Sequence, residues 1–179
     1  MTQVLGIDIG GTGIKAAPVD ITAGRLTSER VKLPTPHPAT PDSVAKVIGE
    51  LIGRFGWAGP IGVTFPGVVT AGTVRTAPNL DHGWVGVDAA RFLSGSANGP
   101  VTVLNDADAA GLAEMRFGAG REQDGTVLLL TLGTGIGSAL FYDGVLVPNT
   151  EFGHIEMHGK DAELRASERA REEGDLSWG

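Results

Sequence analysis

The chain has 179 residues, a formal net charge of −7 and no cysteine. The missing cysteines exclude disulfides and thiolate metal sites, and the acidic balance argues against nucleic acid or an anionic membrane as the main partner. Hydrophobic residues make up 41%, enough to bury a core, and no run approaches the roughly 20 apolar residues of a membrane helix. The amino end, Met1 to Gly6, lacks the basic and apolar regions of a secretory signal, so the chain reads as cytoplasmic.

In chain order, Val4 to Ile9, Ile14 to Val19 and Arg25 to Leu33 read as three strands of a β-meander. Pro34 to Pro38 is a stiff connector in which proline opposes both helix and ladder. Val44, Val47, Ile48, Leu51, Ile52 and Phe55 fall at helical spacing, with Asp42 or Ser43 as the expected cap. Ile61 to Phe65 returns to strand, and Asp88 to Leu93 predicts a short helix. A strand from Val101 to Leu104 leads into an alanine-rich helix from about Asp106 to Phe117. Thr126 to Thr131 and Ser138 to Phe141 are strands on either side of a glycine loop, and Asp143-Gly144 predicts a hairpin turn. Ala162 to Glu173 is charged and helical. Its thin apolar stripe, followed by Leu176-Ser177-Trp178-Gly179, suggests that the chain stops short of a finished domain.

Glycine is abundant, at 28 residues, and clustered. The first cluster is Asp8-Ile9-Gly10-Gly11-Thr12-Gly13-Ile14-Lys15. A Walker A loop needs Gly-Lys-Ser/Thr at its end, and Thr12 stands where that lysine would be. A dinucleotide fingerprint must open a helix, whereas Ile14 to Pro18 is extended. What remains is a hairpin tip whose N–H groups face phosphate, with Asp8 organising a hydrated metal, or else a plain tight turn. The second cluster, Thr131 to Gly137, repeats the form about 120 residues later. Two such loops between strands suggest two related lobes that grip one phosphate chain.

Between the loops, the strand ending at Leu104 delivers Asn105 and Asp106 to a helix N-terminus. Asp106 there is either an N-cap or a general base for a sugar hydroxyl, with Asn105 on other hydroxyls. Asp108 is expected to face the first-turn dipole or solvent. Glu151-Phe152-Gly153-His154 sets a carboxylate and an imidazole three residues apart, suited to vicinal hydroxyls or equally to a histidine satisfied in the core or on a hairpin rim. Glu156, Asp161 and Glu163 are further acidic candidates, and the residues alone do not choose among them.

Taken together, Asp8-x-Gly-Gly-Thr-x-x-Lys15, Asn105-Asp106, Leu132-Gly133-Thr134-Gly135-x-Gly137 and Glu151-x-Gly153-His154 resemble the ROK family of sugar kinases and repressors, over almost the whole chain. Asn105 to Gly111 and Pro148 to Glu156 look like the polyphosphate-using glucokinases within it. The resemblance implies an α/β, actin-like (ribonuclease H-like) two-lobed sugar kinase fold with the second lobe incomplete. Residues 1–120 would form the small lobe and 121–179 the start of the large one. It assigns Asp106 as catalytic base, with Asn105, Glu151, His154 and, more weakly, Asn79 on the sugar. Glu163 joins them because Glu163 to Ser167 matches the family's Glu-x-x-Ala-Ser segment. Asp8, Gly10, Gly11, Thr12, Lys15, Gly133, Thr134 and Gly135 would hold phosphate. The implied partners are glucose and polyphosphate or ATP, and the implied full-length form is a homodimer. Mg²⁺ would be held by the donor phosphates, with Asp8 acting through water.

Two departures from the family pattern stand out. The cysteines that bind zinc in most members are absent, so no zinc is expected. The family also continues for about a further third of its length, including a segment that helps hold adenosine. A repressor would need a helix-turn-helix before the first loop, which begins at residue 8. Against the polyphosphate-using kinase stand a catalytically silent sugar-binding fragment and an ATP-dependent hexose kinase. Lys15, Lys32, Arg75, Arg116 and Arg121 are candidate contributors to a polyphosphate groove, or else ordinary solvated surface residues.

Overall fold

The computed structural model describes residues 2–177. The expectation placed on the terminal Trp178-Gly179 lies outside them, as does Met1. The chain divides into two compact units, Met1–Asp106 and Ala107–Gly179. The division falls at the start of a helix, earlier than the boundary near residue 120 implied by resemblance.

The first unit is built on a sheet of β1 (Gln3–Ile9), β2 (Gly13–Asp20), β3 (Arg25–Leu26), β4 (Val31–Pro34), β5 (Ile61–Phe65) and β8 (Val101–Asn105). Its order is β3-β2-β1-β5-β8, with β4 also pairing β2. β1, β5 and β8 run parallel, whereas β1 and β2 form an antiparallel hairpin. β6 (Val69–Thr70) and β7 (Thr73–Val74) form a small separate ribbon.

Alternation along β1 buries Leu5, Ile7 and Ile9 and turns Asp8 to the other face. α1 (Pro41–Phe55) buries Val44, Ile48, Leu51 and Ile52. α2 (Ala89–Ser94) adds Leu93, and Trp84 fills the core with its ring edge-on to Phe65 at 5.2 Å. The indole N–H donates to the Ala39 carbonyl at 3.0 Å, satisfying the polar end of a buried tryptophan.

Three local expectations are corrected here. The cap of α1 is Thr40, whose hydroxyl accepts the Ser43 N–H at 3.2 Å, rather than Asp42 or Ser43. Pro41 then takes the first helical position, where a missing N–H costs nothing. The single strand expected over Arg25 to Leu33 is two short strands, both on β2. Pro34 is not excluded from the ladder: it ends the edge strand β4 in register with Gly13, a position where proline is tolerated.

The second unit has a three-stranded antiparallel sheet, β11-β10-β9, from β9 (Thr126–Leu132), β10 (Ile136–Tyr142) and β11 (Val145–Val147). Asp143 and Gly144 turn between β10 and β11 with φ of 47° and 75°, as the Asp-Gly pair predicts. Against β10 lies α3 (Asp106–Phe117), whose first residue closes the first unit. Gly111 makes the contact close: a Cβ there would sit 2.6 Å from that of Ala139 and 2.8 Å from the Phe141 ring.

Beyond the sheet come β12 (Glu156–Met157), β13 (Lys160–Asp161), α4 (Glu163–Ala166) and α5 (Glu168–Glu173). The one helix expected over Ala162 to Glu173 is broken at Ser167. That residue is extended, and its hydroxyl accepts the Ala170 N–H to cap α5.

Candidate active site

The first unit gathers its polar residues at the carboxyl ends of the parallel strands, where open α/β sheets bind ligands. Asp8, near the end of β1, is in register with Thr64 on β5, whose hydroxyl donates to Asp8 Oδ1 at 2.8 Å. Lys15, its partner across the β1–β2 hairpin, reaches Asp8 Oδ2 at 3.0 Å. Asp8 therefore stands between a hydroxyl and an ammonium, with its side chain 45% exposed.

The hairpin tip is closed by the Gly10 N–H donating to the Gly13 carbonyl at 3.1 Å. Thr35, just past β4, is buried and donates its hydroxyl to the Gly10 carbonyl at 2.5 Å, while its N–H reaches Thr12 O at 3.4 Å. Asn79 lies beside this tip: a Cβ on Gly11 would be 3.5 Å from that of Asn79. Lys32 pairs in register with Lys15 and runs past Gly13.

β8 ends at Asn105, which is buried, and Asp106 follows as the first residue of α3, exposed. Asn105 Nδ2 donates to the Gly67 carbonyl at 3.1 Å, which engages one amide hydrogen and fixes the side chain.

The second unit holds the other expected residues. The Gly133-Thr134-Gly135 tip joins β9 to β10, and the Gly133 N–H donates to Gly135 O at 3.0 Å. Glu163 Oε2 accepts the Ile136 N–H at 3.3 Å, which places this residue at the exit of the glycine loop. Glu151 leads a short 3-10 turn, Phe152–His154, and its carboxylate stands 3.7 Å from His154 Nε2. Gly153 lies against Ile136, whose carbonyl and side chain leave no room for a Cβ.

Of the three acidic candidates left open by the sequence, Asp161 is the one in contact with the imidazole. The β12–β13 hairpin turns at His158 and Gly159, with φ of 53° and 77°, and sets Asp161 opposite Glu156. Asp161 Oδ2 is then 3.1 Å from His154 Nδ1. That contact pushes the His154 pKa above its ordinary value; burial opposes the shift, and the charges of Glu163, Glu151 and Asp161 reinforce it.

Asp108 departs from expectation. It does not face solvent: it is 2% exposed, and its Oδ2 accepts the Asn149 N–H at 2.9 Å. Burial raises its pKa, and the Asn149 N–H partly offsets this. Among the other basic residues, Arg116 lies 5.3 Å from the centre of the Phe117 ring, and Arg121 stands 3.4 Å from Glu122.

Sequence reasoning missed Thr35, Thr64 and Ser138. The Ser138 hydroxyl accepts the Phe152 N–H at 2.9 Å and lies 3.0 Å from that of Thr150. Short polar residues in or beside strands carried no local signal. Among the described residues, no helix is long and apolar enough to cross a membrane, and no three His, Asp or Glu side chains gather as a metal site.

The mixed α/β architecture is the actin-like fold of sugar kinases. The chain belongs to the ROK family, whose model matches residues 4–171. It is 56% identical over 174 residues to the polyphosphate glucokinase of Mycobacterium tuberculosis, covering 97% of this chain and 66% of that one. The chain thus spans a little less than two thirds of that relative's length. The crystal structure of an inorganic polyphosphate/ATP-glucomannokinase from Arthrobacter sp. strain KM matches with a TM-score of 0.93 and 50% identity, over 99% of this chain and 73% of that one. A ROK family glucokinase from Streptomyces griseus, in complex with glucose and AMPPNP, matches with a TM-score of 0.79 and 34% identity, over 94% and 58%.

Proposed function

We propose that this chain carries the catalytic and sugar-binding residues of a glucokinase that uses polyphosphate, with ATP as a second donor. The observation that carries the reading is the delivery of Asn105-Asp106 to the junction of β8 and α3, on the same sheet as the Gly10–Gly13 tip. Asp106 accepts the proton of the sugar 6-hydroxyl as that oxygen attacks phosphorus. The new oxygen–phosphorus bond forms as the bond to the rest of the donor breaks in line. Each glycine tip, taken by itself, offers backbone N–H groups suited to phosphoryl oxygens. Glu151 and His154 bind sugar hydroxyls, with Asp161 orienting the imidazole. Asn105, Glu163 and Asn79 complete this set of ligands.

Asp8 suits a magnesium ion held mainly by donor phosphates and water, since it offers a partly exposed carboxylate of hard oxygens. Such an ion supplies charge neutralisation on the phosphates. The choice of polyphosphate as donor rests on the similarity to the mycobacterial and Arthrobacter enzymes. We place the protein in the cytoplasm, with a homodimer as its full-length form, and we propose neither nucleic acid nor membrane as a partner.

The test is glucose 6-phosphate formation with Mg²⁺, comparing polyphosphate and ATP. Turnover with polyphosphate supports the proposal. Turnover with ATP alone removes the polyphosphate claim and leaves the kinase. Failure with both donors, in this chain and in a longer form, would overturn the kinase reading.

A further inference from the structure

We propose that Asp108 is a positioning residue: its buried carboxylate holds the Asn149–Glu151 turn in the backbone conformation from which Glu151 reaches the sugar. This rests on the sugar kinase reading above.

A carboxylate two residues into a helix ordinarily faces water, where it costs nothing. Asp108 is instead 2% exposed, and removing such a group from water is unfavourable unless it is bonded. Its bond goes to the backbone of a distant turn, the Asn149 N–H at 2.9 Å. That turn has an unusual conformation. Asn149 and Glu151 both have positive φ, 57° and 44°, although neither is glycine. Left-handed residues other than glycine persist where their surroundings over-determine them.

The surroundings do so from two sides. Asp108 holds the N–H of Asn149. Ser138 holds the rest, since its carbonyl accepts the Thr150 hydroxyl at 3.2 Å and its own hydroxyl accepts the Phe152 N–H at 2.9 Å. Glu151 is thereby flanked by pinned backbone, and its carboxylate is left standing 3.7 Å from His154 Nε2. Without the Asp108 acceptor, the Asn149 N–H loses its bond and the turn can relax toward an ordinary φ, carrying the Glu151 carboxylate away from the imidazole. The requirement is for an acceptor oxygen at this point, so an amide can replace the carboxylate.

The experiment compares the glucose KM, the donor KM and thermal stability of wild type, Asp108→Asn, Asp108→Ala and Asp108→Leu. The leucine variant keeps side-chain volume while removing the acceptor. Expected is a rise of about tenfold or more in glucose KM for the alanine and leucine variants, with donor KM within about twofold. The asparagine variant should stay within about threefold of wild type on both. Unchanged glucose KM in a folded alanine or leucine variant overturns the proposal, as does an equal rise in donor KM. Failure of both to fold, beside an asparagine variant that folds and binds glucose normally, makes Asp108 a folding residue and overturns it too. A wild type inactive with both donors, in this chain and in a longer form, would instead sink the kinase reading, which separates the two failures.

Discussion

Asp161 meets His154 because a two-residue turn at His158-Gly159 folds the chain back, bringing the carboxylate within 3.1 Å of Nδ1. The imidazole thus has Asp161 on one nitrogen and Glu151, at 3.7 Å, toward the other. A histidine between two carboxylates keeps its proton to higher pH than a free one.

The sign of the pH dependence follows. With the folded pKa raised, the stabilisation from the charged pair is fully present below the unfolded value near 6.5 and is lost as pH rises through the folded value. Asp161→Asn removes the largest cause, so the His154 pKa should fall. An NMR titration of the ring protons reads this directly, and an unshifted His154 in the variant would remove Asp161 from the account. The effect on global stability should be small, because the His154 side chain is 48% exposed and water screens the pair.

Asp106→Asn should abolish turnover, by about 10²-fold or more, while glucose affinity changes only several-fold. Calorimetry for binding and a coupled assay for turnover separate the two. Turnover within about tenfold of wild type would exclude Asp106 as the base.

Thr35→Val removes the hydroxyl that holds the Gly10 carbonyl. Thr35 is buried, so a loss of about 1 kcal/mol in stability is expected. Donor KM should rise and glucose KM should not. A rise confined to glucose KM would assign the Gly10–Gly13 tip to the sugar.

Gly153→Ala forces a methyl group against the Ile136 carbonyl and side chain. Relief requires the Glu151–His154 turn to move away from β10, at a cost of about 1–3 kcal/mol. Chemical denaturation should show that loss, together with a raised glucose KM. A variant as stable as wild type would mean that the turn adjusts freely.

The parts legible in the sequence are those decided by short-range chemistry. Short apolar runs marked β1, β5 and β8, the glycine tips announced both hairpins, and the β8–α3 junction fell where Asn105-Asp106 suggested. Illegible were the partners that arrive from far along the chain. Thr64 lies 56 residues from Asp8, and Asn149 lies 41 from Asp108. No periodicity in a strand tells which hydroxyl will face a carboxylate across the sheet. Asp108 was misjudged for the same reason, since helical position alone favoured solvent. The helix break at Ser167 was missed because its charged neighbours all favour helix, and only the bond from Ser167 to the next turn reveals a second start.

β10 carries two attachments within three residues. Ile136 backs both the Gly133–Gly135 tip, through Glu163, and the Gly153 turn, while Ser138 fastens Thr150 and Phe152. One strand therefore serves as a common ruler for the proposed donor loop and the proposed acceptor turn. On the proposed reading, reshaping residues 133–135 for a new phosphate donor is expected to shift sugar preference as well, and directed-evolution screens should score both traits together.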